Sequence, residues 1–211
     1  MKIGDNDKPR FETERLVLRC FELSDAEELY RNLVSDPEVS RFMCYDTCED
    51  LGETLKHIDR WLDFFSKLEQ GSSWCIFSII LKSTGELIGT IDYHVTDREA
   101  QAAEIGYKLG TAWWRKGYAT EALHALIDYL FKEVGLNRLW ADHDSRNIAS
   151  GRVLLKAGML CEGTARQCYV RKGHLVDKVS YAILKSDWEA KKYADEHTHY
   201  IESRREENAV L

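Results

Sequence analysis

Apolar positions recur along this chain with two rhythms, one near two residues and one near 3.6. Arg15-Leu16-Val17-Leu18-Arg19 is a short apolar run between charges and predicts a first strand. Ser24-Asp25-Ala26-Glu27 has the spacing of a capping box, so Ser24 is expected to cap a helix that runs to about Val34 and ends at Asp36-Pro37. A second helix is expected from Cys48 to Glu69, with Leu51, Leu55, Ile58, Leu62 and Phe65 as its apolar stripe. Trp74 to Leu81 is almost continuously apolar, as in a strand buried on both faces. After the turn Lys82-Ser83-Thr84-Gly85-Glu86, Leu87 to Val95 alternates as a strand. Ala103 to Leu109 alternates again, with Ala103, Ile105, Tyr107 and Leu109 on one face and Glu104, Gly106 and Lys108 on the other.

From about Gly117 to Val134, Ala119, Ala122, Leu123, Leu126, Ile127 and Leu130 form one helical stripe. Arg138 to Asp142 predicts a short strand and Asn147 to Lys156 a helix stopped by Gly158. Met159–Tyr169 and Leu175–Leu184 then predict two strands about the turn Arg171-Lys172-Gly173, and from Ser186 the chain is largely charged and helix-prone. There is no internal repeat or low-complexity tract. Hairpin-linked strands followed by a strand–helix–strand crossover predict an α/β or α+β sandwich around one mixed sheet.

Composition narrows the chemistry. At 211 residues, with 2 prolines and 13 glycines, the chain suits one domain without long linkers. A net charge of −7 disfavours nonspecific nucleic-acid binding and favours cationic or amine-bearing substrates. No apolar run approaches the ~20 residues of a membrane span, and the first residues lack the apolar centre of a signal peptide. A cytoplasmic location with six free thiols is therefore expected. Cys44-x-x-x-Cys48 is the one close cysteine pair, no second pair completes a zinc pattern, and His197-x-His199 lies in a polar tail, so no metal is expected.

The strongest chemical signal is Trp113-Trp114-Arg115-Lys116-Gly117-Tyr118-Ala119-Thr120-Glu121-Ala122-Leu123, a loop between a strand and an amphipathic helix. Gly117 permits close backbone approach and Ala119 keeps the first turn uncrowded. Unpaired N–H groups with the helix dipole behind them suit a pyrophosphate, as do the Thr120 hydroxyl and the charges of Arg115 and Lys116. The basic pair precedes the glycine, unlike a P-loop, and no Gly-x-Gly-x-x-Gly follows the strand.

Trp114-x-x-Gly117-x-Ala119 resembles the pyrophosphate loop of the GNAT acetyltransferases, and the longer run resembles their RimJ/RimL branch. Glu12-Thr13-Glu14-Arg15-Leu16, Asp36-Pro37-Glu38-Val39, Gly85-Glu86-Leu87-Ile88-Gly89, Ala103-Glu104-Ile105-Gly106-Tyr107, Asn147-x-x-Ser150 through Gly158-Met159, Tyr181-Ala182-Ile183-Leu184 and Trp188 extend the resemblance. It implies a GNAT domain over 12–188, with 189–211 as a charged helical tail. The fold implied has a mixed, mostly antiparallel sheet in which two parallel central strands splay into a V.

The resemblance further implies acetyl-CoA as co-substrate. The amides from about Arg115 through Lys116, Gly117, Tyr118 and Ala119 to Thr120 would hold the pyrophosphate. Leu109 would pair with the pantetheine arm, and Asn147 would hold that arm or a water. The reaction implied is direct attack of a primary amine on the thioester in a ternary complex. Glu104 is then the expected general base, unless it simply faces solvent or pairs with Lys108. Leu154 stands where many relatives carry an acidic tyrosine, which leaves Ser150 to serve the leaving thiolate. Phe42, Tyr45, Tyr169 and Asp177 become candidate acceptor contacts. The acceptor expected is a protein N-terminal amine, as on a ribosomal protein, or a small amine. A homodimer is compatible with the sequence and no segment demands one. A non-catalytic acyl-CoA-binding regulator is the competing reading.

Overall fold

In the computed structural model, which describes residues 9–66 and 74–192, the strands are β1 (Arg10–Glu12), β2 (Leu16–Cys20), β3 (Trp74–Leu81), β4 (Leu87–Asp97), β5 (Ala102–Leu109), β6 (Arg138–Asp144), β7 (Leu160–Arg171) and β8 (His174–Leu184). They form one sheet in the order β1-β2-β3-β4-β5-β6-β8-β7. Every adjacent pair is antiparallel except β5–β6. The mixed sheet with one parallel pair agrees with the expected architecture.

Helices cover both faces. On one face lie α4 (Tyr118–Tyr129), which continues as a π turn Leu130–Val134, and α5 (Ile148–Lys156). Their Ala122, Leu123, Leu126, Ile127, Leu130 and Leu154 pack on Leu16, Leu18, Phe77, Ile79, Ile105, Leu139 and Ile183 in the larger core. The period-3.6 stripe read for α4 is the face it buries. On the other face α1 (Ala26–Leu29) with its π turn Tyr30–Val34, α2 (Pro37–Ser40) and α3 (Leu51–Ser66) enclose a smaller core of Ala26, Leu29, Leu33, Val34, Val39, Cys48, Ile58 and Leu87. β3 supplies both cores, which explains its unbroken apolar run.

Three expectations need correction. Ser24 does not cap α1. A 3-10 turn, Leu23–Asp25, comes first, and Asp25 Oδ2 accepts from the Glu22 N–H at 3.0 Å. Asp25 is buried, held bidentately by Arg19 and bonded by Ser78 Oγ at 2.6 Å. Second, the inward face of α3 is Thr54, His57 and Ile58, whereas Leu55 and Leu62 are exposed. The Phe65 side chain and the expected end at Glu69 lie outside the described residues. Third, the strand expected at Arg15–Arg19 is not the first: the short edge strand β1 precedes it.

The chain is helical from 185 to 192, where Trp188 packs on Phe131 and donates Nε1–H to Asp128 at 2.7 Å. The rest of the expected tail, His197 and His199 included, lies outside the described residues. Among those residues no helix is long and apolar enough to cross a membrane, and no cluster of three metal-ligating side chains occurs.

Candidate active site

β5 and β6 pair for only three positions, Ala102–Arg138, Ala103–Leu139 and Glu104–Trp140. β5 then runs on to Leu109 and β6 to Asp144, so the strands part and open a wedge in the sheet. Gly110 donates its N–H to Ile88 O at 3.0 Å, which makes Leu109–Gly89 a non-hydrogen-bonded pair of the antiparallel ladder. By the alternation of that ladder, the backbone polar groups of Ile105, Tyr107 and Leu109 point away from β4 into the wedge. The Leu109 carbonyl accepts from Trp114 Nε1 at 2.7 Å, so the N–H is what Leu109 offers there.

Beyond the wedge, Arg115 (φ 61°) and Gly117 (φ 85°) adopt left-handed backbone, which curls the chain into the start of α4. Only glycine takes that conformation without cost. The first bond of the α4 ladder is Glu121 N to Gly117 O at 3.0 Å, so the N–H groups of Tyr118, Ala119 and Thr120 precede it. Arg115 and Lys116 are exposed. A surface cavity of about 460 Å³, lined by Glu14, Gly117, Thr120, Glu121, His124 and Lys156, adjoins this turn.

The loop has a brace to which sequence reasoning assigned no role. Arg15 donates to Lys116 O at 3.0 Å and to Glu121 Oε2 at 2.7 Å, and its guanidinium lies 4.5 Å from the Tyr118 ring centre. Glu121 also accepts from the Arg15 N–H at 2.9 Å and Thr13 Oγ1 at 2.5 Å. Partial burial would raise its carboxyl, but these hydrogen bonds outweigh it and hold the group below the usual range. Thr13, Arg15 and Glu121 all lay within the family-like segments. Nothing local showed that they meet.

Glu104 ends the paired part of β5 and faces the α3 side, with its side chain one-third exposed. Burial pushes its carboxyl up to about 7; the Asp142 carboxylate adds to this and Lys178 opposes it. Its neighbour is His94 Nε2 at 3.6 Å, not Lys108. Burial lowers His94, which favours the neutral ring. Asp142 is bound by Lys178 at 2.8 Å, and Lys178 Nζ lies 4.9 Å from the Tyr169 ring centre.

On the opposite face of the sheet, Tyr107 donates to Ser150 O at 2.9 Å and lies 2.8 Å from Ser150 Oγ. Burial pushes the Tyr107 hydroxyl up to about 12. Sequence reasoning found Ser150 and missed Tyr107, although its place on the inward face of β5 was legible. Leu154 is fully buried. Asn147 caps α5, its Oδ1 accepting from the Ser150 N–H at 3.3 Å. Just before it, Asp144 accepts from Arg146 and Arg171, which hold its carboxyl down at about 2.

The candidate acceptor contacts separate. The Tyr45 ring lies 4.2 Å from that of His57 in α3, tilted by 49°, and Tyr169 adjoins Lys178 and so Asp142. The Phe42 ring lies beside Arg41. Asp177 is occupied structurally: Oδ1 accepts from the N–H of Gln167 at 2.8 Å, where β7 bulges. Lys172 in the β7–β8 turn donates to Ser40 O at 3.2 Å, bringing that hairpin against α2.

Residues 15–160 match the sequence model described as Acetyltransferase (GNAT) domain. The chain belongs to the GNAT acetyltransferase family. An uncharacterised N-acetyltransferase of Bacillus licheniformis is 39% identical over 176 residues, 83% of this chain and 96% of that one. The [Ribosomal protein uS5]-alanine N-acetyltransferase of Escherichia coli is 31% identical over 121 residues, 57% of this chain and 62% of that one. A solved GNAT-family acetyltransferase from Bacillus anthracis superposes with a TM-score of 0.72 at 29% identity, covering 84% of this chain and 99% of that one. The protein is thus an acetyltransferase.

Proposed function

We propose that the protein is an acetyl-CoA-dependent N-acetyltransferase acting on the α-amine of a protein N-terminus or of a small molecule, with 12–188 as its catalytic unit, 189–211 as an appendage and the cytoplasm as its setting. One observation carries this reading: the wedge has a turn of unladdered amides at its mouth and a proton-accepting carboxylate at its closed end. Acetyl-CoA, when bound, supplies the acetyl thioester. The amides of 115–120, with Arg115 and Lys116, fit a pyrophosphate, and the Leu109 and Tyr107 backbone groups fit an extended, amide-bearing arm.

Glu104 takes the proton as the amine nitrogen bonds to the thioester carbon. A carboxyl near 7 suits this, because it is substantially ionised at neutral pH yet basic enough to draw a proton from an amine. As the carbon–sulfur bond breaks, Tyr107 and Ser150 stand on the other face to hydrogen-bond the thiolate. A hydroxyl near 12 is a weaker acid than a thiol of about 8.5, so this pair stabilises charge and solvent completes protonation. The regulator reading rested on the leucine at 154, and a tyrosine hydroxyl reaching the same helix from β5 removes that support.

The test is calorimetric titration with acetyl-CoA together with thiol release against amines and N-terminal peptides. Micromolar binding with acceptor-dependent thiol release is expected. Binding without release for any acceptor would return the regulator reading, and no binding would overturn the loop assignment.

A further inference from the structure

The α3-facing side of β4 and β5 gathers polar groups that make no hydrogen bond or ion pair with the described residues. Lys108 projects there half-buried, its Nζ 4.4 Å from the Trp61 ring centre and 5.1 Å from that of Tyr45. It makes no hydrogen bond or ion pair with the described residues, so the donors of its ammonium are unused. Asp92, across from Gly106 in register, is also half-buried and lacks both. Around them Tyr45 Oη, His57 Nε2 and Thr90 Oγ1 are buried and unbonded. Thr90 stands directly across from Lys108, and the Tyr45 and His57 rings lie in tilted contact.

Such groups are costly, a charge more so than a neutral group. About nine in ten buried polar atoms in folded proteins are bonded. Concentration of the exceptions beside an active site marks recognition rather than packing. The two charges are also mismatched to their surroundings: burial raises the Asp92 carboxyl and lowers the Lys108 ammonium, although each favours the other's charged form.

The order of the groups states what fits. Gly106 lies midway between Glu104 and Lys108 on β5, about 6.7 Å from each along the strand. Its lack of a side chain matters, since a Cβ there would sit 2.9 Å from Asp92 Oδ1. An amine over Gly106 meets Glu104 on one side and Asp92 beneath, and the next anion-binding group is Lys108.

We infer that Lys108, with Thr90 and Tyr45, forms a carboxylate subsite, and that the acceptor is a free α-amino acid whose α-amine lies between Glu104 and Asp92. A peptide N-terminus would present a neutral amide carbonyl to Lys108 and leave the ammonium without its anion. This inference rests on the N-acetyltransferase reading and on Glu104 as its base.

The experiment compares thiol release for the twenty L-amino acids and their carboxamides, using the full chain and its Lys108→Met variant, with acetyl-CoA binding to both followed by calorimetry. For the preferred amino acid, the wild-type protein is expected to favour free acid over amide by about 10–100-fold in kcat/KM, the scale set by leaving one buried polar group unsatisfied. Lys108→Met should bring that ratio close to one while acetyl-CoA binding is retained. Amides or peptides used as well as free acids, a ratio unchanged in Lys108→Met, or no free amino acid turned over by protein that binds acetyl-CoA would each overturn the subsite. Failure of the wild-type protein to bind acetyl-CoA would instead overturn the acetyltransferase reading beneath it.

Discussion

As the proposed base, Glu104 would tie activity and stability to one proton. Its carboxyl is raised from the ordinary 4.5 to about 7 in the folded chain, so the folded state holds that proton more tightly than the unfolded state. Stability from this group is therefore full below about 4.5 and falls as pH rises through 7. The side chain is one-third exposed, and solvent screening leaves the loss on the order of 1 kcal/mol. Glu104→Gln removes the titration: the variant is expected to melt higher than wild type at pH 8 and to match it more closely at pH 5. Its kcat should fall by about 100-fold, and the rise of kcat/KM through pH 7 should flatten to that of the amine alone. A variant that keeps the wild-type limb would assign the base elsewhere. Tyr107→Phe tests the other face, with an expected loss of roughly 10-fold in kcat for one hydrogen bond and little change in acetyl-CoA affinity. A fall in affinity with kcat intact would make Tyr107 a packing residue only.

At the level of elements, the proposed phosphate loop depends on residues far away in sequence. Arg15 and Thr13 precede β2, yet with Glu121 they fix the first turn of α4. Glu121→Ala is expected to weaken acetyl-CoA binding about tenfold and to cost about 2 kcal/mol, the range for charge-assisted hydrogen bonds. Calorimetry and denaturant melts read the two losses, and unaltered affinity would show the loop to be rigid by itself. This brace also shows what the sequence could and could not reveal. The α4 stripe, the continuous β3 run and the two faces of β5 were legible because burial follows local periodicity. The α1 start was misread because Asp25 takes its partners from Arg19 and Ser78, which no local spacing reports. The α3 stripe was misread for a related reason: polar Thr54 and His57 face inward, over the polar side of the sheet. Among site residues, Glu104, Ser150 and Gly117 stood in motifs. Tyr107, Asp92 and Lys108 acquire meaning only when β4, β5, α3 and α5 are brought together.

Across the whole molecule, the wedge divides one sheet into five strands and three, joined by three residue pairs and by the helices laid over them. A ligand that pairs with β5 would complete an interrupted ladder. Acetyl-CoA at 100 times its Kd is expected to stabilise the fold by about 2.7 kcal/mol. Amide hydrogen exchange should slow most at Tyr107 and Leu109, whose backbone faces the gap. Protection confined to the α4 turn would mean that the arm does not enter the wedge.

On the proposed function, the opening in the sheet is also a passage between two sides. The loop, Tyr107 and Ser150 lie on the α4–α5 side, whereas Glu104, Asp92 and Lys108 lie on the α3 side. Donor and acceptor that approach from opposite sides need not pass one another. On the proposed reading each has its own exit, and neither substrate must bind first nor either product wait for the other. Initial-rate plots should then intersect, and each product should compete only with the substrate from its own side. Parallel lines would mean that the acetyl group is first parked on the protein, and that the passage has a single door.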